Sequence, residues 1–316
     1  MRTALALSIA VLTGLALPAP VTALEIARIQ IGDLVLEAPV ALETELAQLA
    51  DASRRIVPNL ERDLGVSARG PYRIVLIPGT RPLDPEIQQL DALAPPWAAG
   101  FMVGSLRLGA IRIGEVRRYP YDSAEEVLAH EIVHMLLYDA AGHPLPAWFS
   151  EGVATWEGRR RGVRDFVISA SAVLAREPPT LAQIDAQFRA GSTSARQAYA
   201  ASLDFVAWSV RRHGPDFVPR VIARLGDLPV EEAWEITADE SLADSEERWR
   251  QRSVWIHRWL PLIGSTSTLW IGISLLAVLA GLARRHRDRE MRARWEAEDR
   301  MVVEAAEGSG GSEGSR

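Results

Sequence analysis

A His-Glu-x-x-His motif occupies positions 130–134, near the middle of the chain. Histidines four residues apart lie on the same side of an α-helix and one turn apart, so His130 and His134 can bind one cation together. Glu131 projects beside them, close enough to take a proton from a metal-bound water without binding the metal itself. The motif therefore predicts a catalytic metal site on a helix.

The residues before the motif supply the start signal for that helix. Ser123 and Glu126 have the Ser-x-x-Glu spacing of a capping box, in which the serine side chain binds a free backbone amide. We therefore expect a helix that starts at Ser123 and runs to about Tyr138. Pro144 interrupts the chain after it, and Pro146 marks the start of a second helix.

Glu151 is the candidate for a third metal ligand, seventeen residues after His134 in the second predicted helix. A catalytic zinc site needs three protein ligands and a fourth position that is left to water. Apolar residues, among them Trp148 and Phe149, surround Glu151 and indicate an interior-facing helix, where a carboxylate needs a counter-charge. The chain has no cysteine, which excludes thiolate zinc sites and disulfides. The sequence thus predicts Zn²⁺ held by two histidines and a glutamate.

Strand patterns precede helix patterns along the chain. A strand-like start at Asp33 leads into a helix that ends near Leu64, the range 72–77 is a short buried strand, and 106–116 predicts one or two strands. Later helices are expected at 195–212, 217–225, 230–236 and 243–255. This order predicts an α+β fold with a small mixed sheet followed by a mainly helical half.

The N-terminal range 1–23 has the layout of a secretory signal peptide. Arg2 precedes an apolar stretch from Ala4 to Leu17, and small residues surround a plausible cleavage point after Ala23. An uncleaved N-terminal anchor is the alternative. We expect the range 24–258 to form one extracytoplasmic domain, either periplasmic or extracellular.

A second apolar stretch lies near the C-terminus. The 22 residues from Leu262 to Ala283 include no ionisable side chain and as a helix would reach about 33 Å, the thickness of a bilayer core. We therefore predict a transmembrane helix at 259–283 and a short, partly disordered cytoplasmic tail at 284–316, which makes the chain a single-pass membrane protein. A buried core helix is the alternative.

The motif and the Leu-Pro-Ala-Trp-Phe-Ser-Glu-Gly segment at 145–152 resemble the gluzincin clan of zinc metallopeptidases, and in particular the bacterial group called peptidase MA-like. The resemblance covers roughly residues 72–252. It implies a zincin-like fold and peptide hydrolysis, with His130, His134 and Glu151 as zinc ligands and Glu131 as general base.

The same resemblance raises expectations for residues around the ligands. Thermolysin-type members have an Asp four residues after the ligand Glu, where this chain has Thr155; Asp139 and Asp122 are possible substitutes for orienting a histidine. Gluzincins commonly use a Tyr or His from a later helix to stabilise the oxyanion, a role for which Tyr199 is the candidate and His213 the rival. Packing beneath the site is the alternative role for Tyr199. The strand near 111–113 is the candidate sheet edge for an extended substrate.

Together these features predict a membrane-anchored zinc-dependent peptidase that hydrolyses peptide or protein substrates in the cell envelope. The net charge of −6 argues against a nucleic-acid partner. Two alternatives stay open: a membrane-tethered interaction module without catalysis whose zincin fold zinc stabilises, and a zinc hydrolase that acts on a non-peptide amide.

Overall fold

The computed structural model describes residues 25–79, 85–117, 121–159 and 178–264, with scattered helical positions between 270 and 291. Its sheet has five strands: β1 (Ile26–Ile31), β2 (Leu34–Pro39), β3 (Tyr72–Ile77), β4 (Gly100–Val103) and β5 (Leu108–Arg112). Their order across the sheet is β1-β2-β3-β5-β4. The pairs β2–β3 and β3–β5 are parallel, whereas the outer strands β1 and β4 pair antiparallel with their neighbours.

Helices cover both faces of this sheet and form the second half of the chain. They are α1 (Glu43–Leu64), α2 (Pro85–Leu93), α3 (Ala124–Ala141), α4 (Ala147–Arg159), α5 (Leu181–Phe188), α6 (Ser192–His213), α7 (Phe217–Ile222), α8 (Val230–Ala238) and α9 (Leu242–Gly264). One large apolar core joins the sheet to α1, α3, α4 and α6, and a small one including Ile87 lies on the other face of the sheet.

Helix α3 lies at the centre of the molecule and is buried on nearly all sides. Its start is capped by Ser123, whose side chain accepts a hydrogen bond from the Glu126 backbone amide. The Glu126 carboxylate accepts from the backbone amide of Asp122. At the other end Gly142 has the left-handed φ of 77° that favours glycine, and its amide donates to the Tyr138 carbonyl. Caps at both ends fix where the helix that carries the motif at 130–134 begins and ends.

The α+β character and most of the elements agree with the sequence prediction. The strand at 72–77 and the helices in the second half lie where their patterns indicated. Strands β1 and β4 were not predicted, because short outer strands with half-exposed residues have a weak pattern. The strand at 111–113 is not an edge, since β5 pairs with β3 on one side and β4 on the other. The edge is β4.

The predicted transmembrane helix at 259–283 is wrong. Its first residues continue α9, whose earlier part is rich in charged residues: Asp244, Glu246, Glu247, Arg248, Arg250 and Arg252. Within the described part of the chain, no helix combines the length and the apolar character that crossing a bilayer requires. The single-pass membrane location, with its bilayer contact and cytoplasmic C-terminus, is therefore not supported. The predicted signal peptide at 1–23 and most of the tail lie outside the described residues.

Candidate metal centre

Two helices bring the three predicted ligands to one point. Helix α3 supplies His130 and His134, and α4, which packs against it after the turn at 142–146, supplies Glu151. The Nε2 atom of His130 lies 3.0 Å from Nε2 of His134 and 3.1 Å from Oε2 of Glu151. Nε2 of His134 lies 3.5 Å from the same carboxylate oxygen. Within the described ranges, this is the one group of three such side chains that could hold a metal ion.

The triangle of ligand atoms has the size that a tetrahedral zinc site requires. Zinc–ligand bonds of 2.0–2.1 Å at tetrahedral angles place neighbouring ligand atoms about 3.3 Å apart. The three observed edges, 3.0, 3.1 and 3.5 Å, scatter around that value. Two imidazole nitrogens and a carboxylate oxygen also match the donor types that zinc prefers. The residues present therefore fit a zinc ion.

The protonation states of these three side chains, one buried and two part-buried, favour a bound cation. Burial opposes ionisation of Glu151, but the charge of His134 and hydrogen bonds with both histidines outweigh it and hold the pKa of Glu151 well below its usual range. Burial lowers the pKa of His130, which favours the neutral form that binds metals. Burial has the same direction at His134, yet the Glu151 charge prevails and raises the pKa of His134. A cation between them would replace that proton.

Glu131 lies in the same cavity but outside the ligand triangle. It is 2 % exposed, and its Oε2 atom has no hydrogen-bond partner within the described residues. Burial, together with the negative charge of Glu151, raises the pKa of Glu131 to about 8, with the charge of His134 opposing them. A carboxyl group that changes protonation near neutral pH, next to a metal site, is suited to accept and return a proton.

Gly100 of β4 makes room for this carboxyl group. A Cβ atom on Gly100 would lie 2.6 Å from Oε1 of Glu131 and 3.0 Å from both the Ala110 carbonyl and a methyl group of Val127. Because the β5 backbone lies on one side and helix α3 on the other, a side chain at this position would have no space. The edge strand can approach the general-base candidate this closely only because the residue is glycine.

Ser150, which the sequence analysis missed, orients one of the ligands. Its hydroxyl lies 2.8 Å from Nδ1 of His134, the nitrogen opposite the metal-facing one. Such contacts fix the tautomer of a ligand histidine. Neither predicted substitute has this role: Asp139 binds Arg107, and Asp122 is exposed. The buried Thr155 hydroxyl has no hydrogen-bond partner within the described residues.

Tyr199 reaches the site from α6. It is 7 % exposed and lines the cavity, and its ring centroid lies 6.2 Å from that of His130. Tyr121, which precedes α3 and was not predicted as a site residue, lies even closer, at 5.1 Å from the His130 centroid. The rival His213 stacks on Phe217 at the end of α6 and is not among the residues that line the cavity.

A cavity of about 430 Å³ opens over the ligands. One wall is the edge of the sheet, where consecutive residues from Ala99 to Ser105, including all of β4, face the cavity. The opposite wall comes from α3 and the following turn, and includes Leu137, Tyr138 and Leu145. The cavity thus runs along a strand edge that has no partner strand among the described residues, with the ligand triangle in its floor.

Arg112 fixes the segment that forms the rim of the cavity. Its guanidinium binds the Asp91 carboxylate at 2.8 Å and donates to the carbonyls of Pro95 and Ala98 at 2.7 and 2.8 Å. Its backbone amide donates to the Ala99 carbonyl. This buried arginine was not predicted to matter, because its partners lie 13 to 21 residues away in a segment without a strong pattern.

Comparison with known proteins adds little to this geometry. No family model matches the chain, and no curated protein matches it. Among solved structures it is similar to yeast LTA4 hydrolase in complex with bestatin, with a TM-score of 0.38 and 10% identity. The similarity covers 75% of this chain and 37% of that one, so the chain spans little more than a third of that protein's length. A likeness this distant supports no conclusion, and the gluzincin resemblance rests on the motif at 130–134 and the segment at 145–152 alone.

Proposed function

We propose that this protein is a zinc-dependent peptidase in which Glu131 is the general base. The observation that carries the proposal is the convergence of His130, His134 and Glu151 within 3.0–3.5 Å, beside a buried carboxyl group that is not one of the ligands. Three ligands on two rigid helices leave a fourth position toward the cavity, which is the arrangement of catalytic rather than structural zinc.

The proposed chemistry divides between the metal and the chain. When bound, zinc polarises a carbonyl group and lowers the pKa of water to about 7. Glu131 accepts the proton of the attacking water and returns it to the departing amine. Burial raises the pKa of Glu131 in the protein without metal, and a bound cation would lower it again, toward the ionised form that accepts a proton.

Tyr199 is the proposed donor to the oxygen that gains negative charge. Burial, with the charges of Glu151 and Glu131, raises the pKa of Tyr199 well above its usual range, so the phenol keeps its proton. A protonated hydroxyl at the cavity wall can donate to a developing oxyanion, which typically contributes a factor of about 10²–10³ to the rate.

A peptide is the proposed substrate because a strand edge forms one wall of the cavity. Strand β4 pairs with β5 on one side and faces the cavity on the other. An extended peptide can add to such an edge through main-chain hydrogen bonds. This support is specific to substrates with a peptide backbone and favours them over other amides.

A zinc ion with a purely structural role is the alternative function, and one feature speaks against it. Structural sites are closed by four protein ligands and have no use for an adjacent unpaired carboxyl group. Glu131 is buried without a hydrogen bond to Oε2 from the described residues, which costs stability and is more typical of a functional group than of a structural one.

The test is hydrolysis of fluorescently labelled casein by the purified full chain loaded with zinc. We expect cleavage that a chelator abolishes and zinc restores. Glu131→Gln should bind zinc with one-to-one stoichiometry and lose turnover by about 10²–10⁴-fold. The matched control is Glu125→Gln, on the same helix but exposed at the surface, where it pairs with Arg55; its turnover should equal that of the wild type. Full activity of Glu131→Gln would refute the mechanism.

A further inference from the structure

The cavity is apolar on one side of the metal ligands. The face of α3 that carries His130 and His134 continues to Leu137, because residues i, i+4 and i+7 lie on the same side of a helix. All three side chains line the cavity. Leu137 follows the second histidine by three residues, which is about 4.5 Å along the helix. An apolar side chain therefore lies directly next to the ligand triangle.

The residues that follow Leu137 extend this apolar surface. Tyr138 comes next on α3, and Pro144 and Leu145 come from the turn after it; all three line the cavity. Leu137 is 1 % exposed, whereas Tyr138 and Leu145 are half-buried and keep part of their apolar surface open. Half-buried apolar side chains in a concave site are typical of a place where an apolar group of a ligand is buried.

Two glycines allow the edge strand to lie against α3 along the same stretch. Gly100 meets Glu131, as described above, and Gly104 meets Tyr138: a Cβ atom on Gly104 would overlap the tyrosine ring and lie 2.6 Å from Tyr138 Cβ. Between the two contacts, Met102 of β4 is half-buried and lines the cavity. The strand thus runs from the general-base candidate toward the apolar side chains.

We call this part of the cavity the apolar end; its members are Met102, Leu137, Tyr138, Pro144 and Leu145. None of the five carries a charge, and the neighbouring His143 is exposed. A charged group that entered the apolar end would lose water without gaining a counter-charge, whereas an aliphatic or aromatic group would gain from burial. The chemistry of the apolar end selects an uncharged apolar side chain.

The spacing says where in a substrate that side chain would be. One residue of an extended peptide covers about 3.3 Å, so the step of about 4.5 Å from His134 to Leu137 corresponds to one or two residues. A peptide that lies along β4 with its reacting bond at the ligands would place a side chain in the apolar end within about two positions of that bond.

We propose that the apolar end is a subsite for one large apolar side chain next to the cleaved bond, and that Leu145 determines this preference. The inference rests on the proposed peptidase function and names its substrate class. Folded proteins bury Leu, Ile, Met and Phe, and a chain must be extended to lie along β4. The substrates are therefore apolar segments of unfolded protein chains.

The first experiment finds the preferred position. Full-length, zinc-loaded protein digests casein, and mass spectrometry of the fragments identifies the residues that flank each cut. We expect Leu, Ile, Met and Phe to be enriched at one fixed position within two residues of the cut. Two peptides blocked at both termini, with Leu or Ala at that position, should then differ in kcat/KM by about 10- to 200-fold in favour of Leu.

A variant of the half-buried turn residue tests whether the apolar end is the cause. Leu145→Ala should lower kcat/KM for the Leu peptide by about 5-fold or more and change that for the Ala peptide by less than about 2-fold, because a methyl group does not reach position 145. Leu228→Ala is the matched control, since Leu228 is also half-buried against the core but does not line the cavity. Its preference for the Leu peptide should equal that of the wild type.

A gain of function separates the subsite from a loss of structure. Leu145→Glu should cleave a peptide with Lys at the preferred position better than the wild type does, since the new carboxylate supplies the missing counter-charge. Impaired folding cannot raise the activity toward one peptide. Zinc stoichiometry, measured for every variant, should stay at one per chain.

The outcomes distinguish this inference from the function on which it rests. If the wild type shows no chelator-sensitive cleavage of casein, the proposed function fails and the inference fails with it. If cleavage occurs without an apolar preference near the cut, only the inference is overturned. Equal losses for the Leu and Ala peptides in Leu145→Ala, together with no gain for the Lys peptide in Leu145→Glu, would also overturn it.

Discussion

Helix α3 carries two buried polar clusters that differ in how completely their atoms are hydrogen bonded. Near its end, Asp139 accepts from the Arg107 guanidinium at 2.6 and 3.1 Å and from the Arg69 backbone amide at 2.8 Å. Both carboxylate oxygens are therefore satisfied. Two turns earlier, Oε2 of Glu131 has no hydrogen-bond partner within the described residues.

Under the proposed function, the difference separates a structural cluster from a reactive one on the same element. A buried carboxylate with every oxygen paired ties parts of the fold together, here α3 to the turn before β5. A buried carboxyl group with an open oxygen costs stability, and its pKa shifts because the charged form is poorly solvated. Completeness of hydrogen bonding therefore indicates function where burial alone does not.

Arg107→Met is the strongest test of the fully hydrogen-bonded cluster around Asp139. It leaves the buried Asp139 charge without its counter-ion, which we expect to lower the free energy of unfolding by about 3–5 kcal/mol. Urea denaturation measures the loss, and zinc stoichiometry should stay at one per chain. A loss below about 1 kcal/mol would mean that the cluster is no more important than a surface ion pair.

Glu131→Gln in metal-free protein tests the incompletely hydrogen-bonded carboxyl group of Glu131 through the pH dependence of the free energy of unfolding. Burial raises the pKa of Glu131 from 4.5 to about 8, so between these values the folded state binds more protons than the unfolded state. This carboxyl group therefore lowers stability progressively as pH rises from about 4.5 to 8. In Glu131→Gln the side chain is neutral at every pH, so this loss of stability does not occur.

We expect Glu131→Gln, measured in chelator, to gain about 4 kcal/mol over the wild type between pH 5 and pH 9. Urea denaturation at both pH values gives the four free energies. Ionisable groups far from Glu131 titrate alike in both proteins and cancel in the comparison, whereas His134 and Glu151, which interact with Glu131, do not cancel fully. A difference that is the same at the two pH values would show that Glu131 is not a perturbed acid.

Metal removal sharpens the same comparison, because only the cluster of His130, His134 and Glu151 should respond to loss of zinc. Zinc at a free concentration 100-fold above its Kd stabilises the folded state by about 2.7 kcal/mol. Chelation should remove that amount in the wild type and in the Arg107→Met variant alike. In His134→Ala, unfolding should be the same with and without zinc; a zinc effect that survives there would place the ion elsewhere.

Local sequence pattern was sufficient for one half of the metal centre. The capped helix and the spacing of its two histidines are properties of neighbouring residues, and both were predicted. Glu151 required a chemical argument about a third ligand, and the structure brings it to the histidines. Tyr121, Gly100 and Ser150 were missed, because their roles arise from tertiary contacts that leave no periodic signal.

The contact between α4 and α6, next to Glu151, gives the smallest predicted effect on stability. A Cβ atom on Gly152 would lie 2.8 Å from a methyl group of Val206 and 2.9 Å from the Ser202 carbonyl, both on α6. Gly152→Ala should therefore cost about 1–3 kcal/mol in thermal or urea unfolding. Gly158 on the same helix has only contacts of 3.4 Å or longer, so Gly158→Ala should be neutral or stabilising. Equal effects would argue against close packing at Gly152.

The two outer strands of the sheet also have different consequences for self-association. β1 presents Arg28, which pairs with Glu37 across the hairpin, and a charged side chain on an outer strand discourages another molecule from pairing there. β4 is four residues long and lines the cavity, and so short an outer strand offers few backbone groups to another sheet. Under the proposed function, the edge of β4 would accept a single extended chain, while its short length limits the edge-to-edge aggregation that outer strands usually invite.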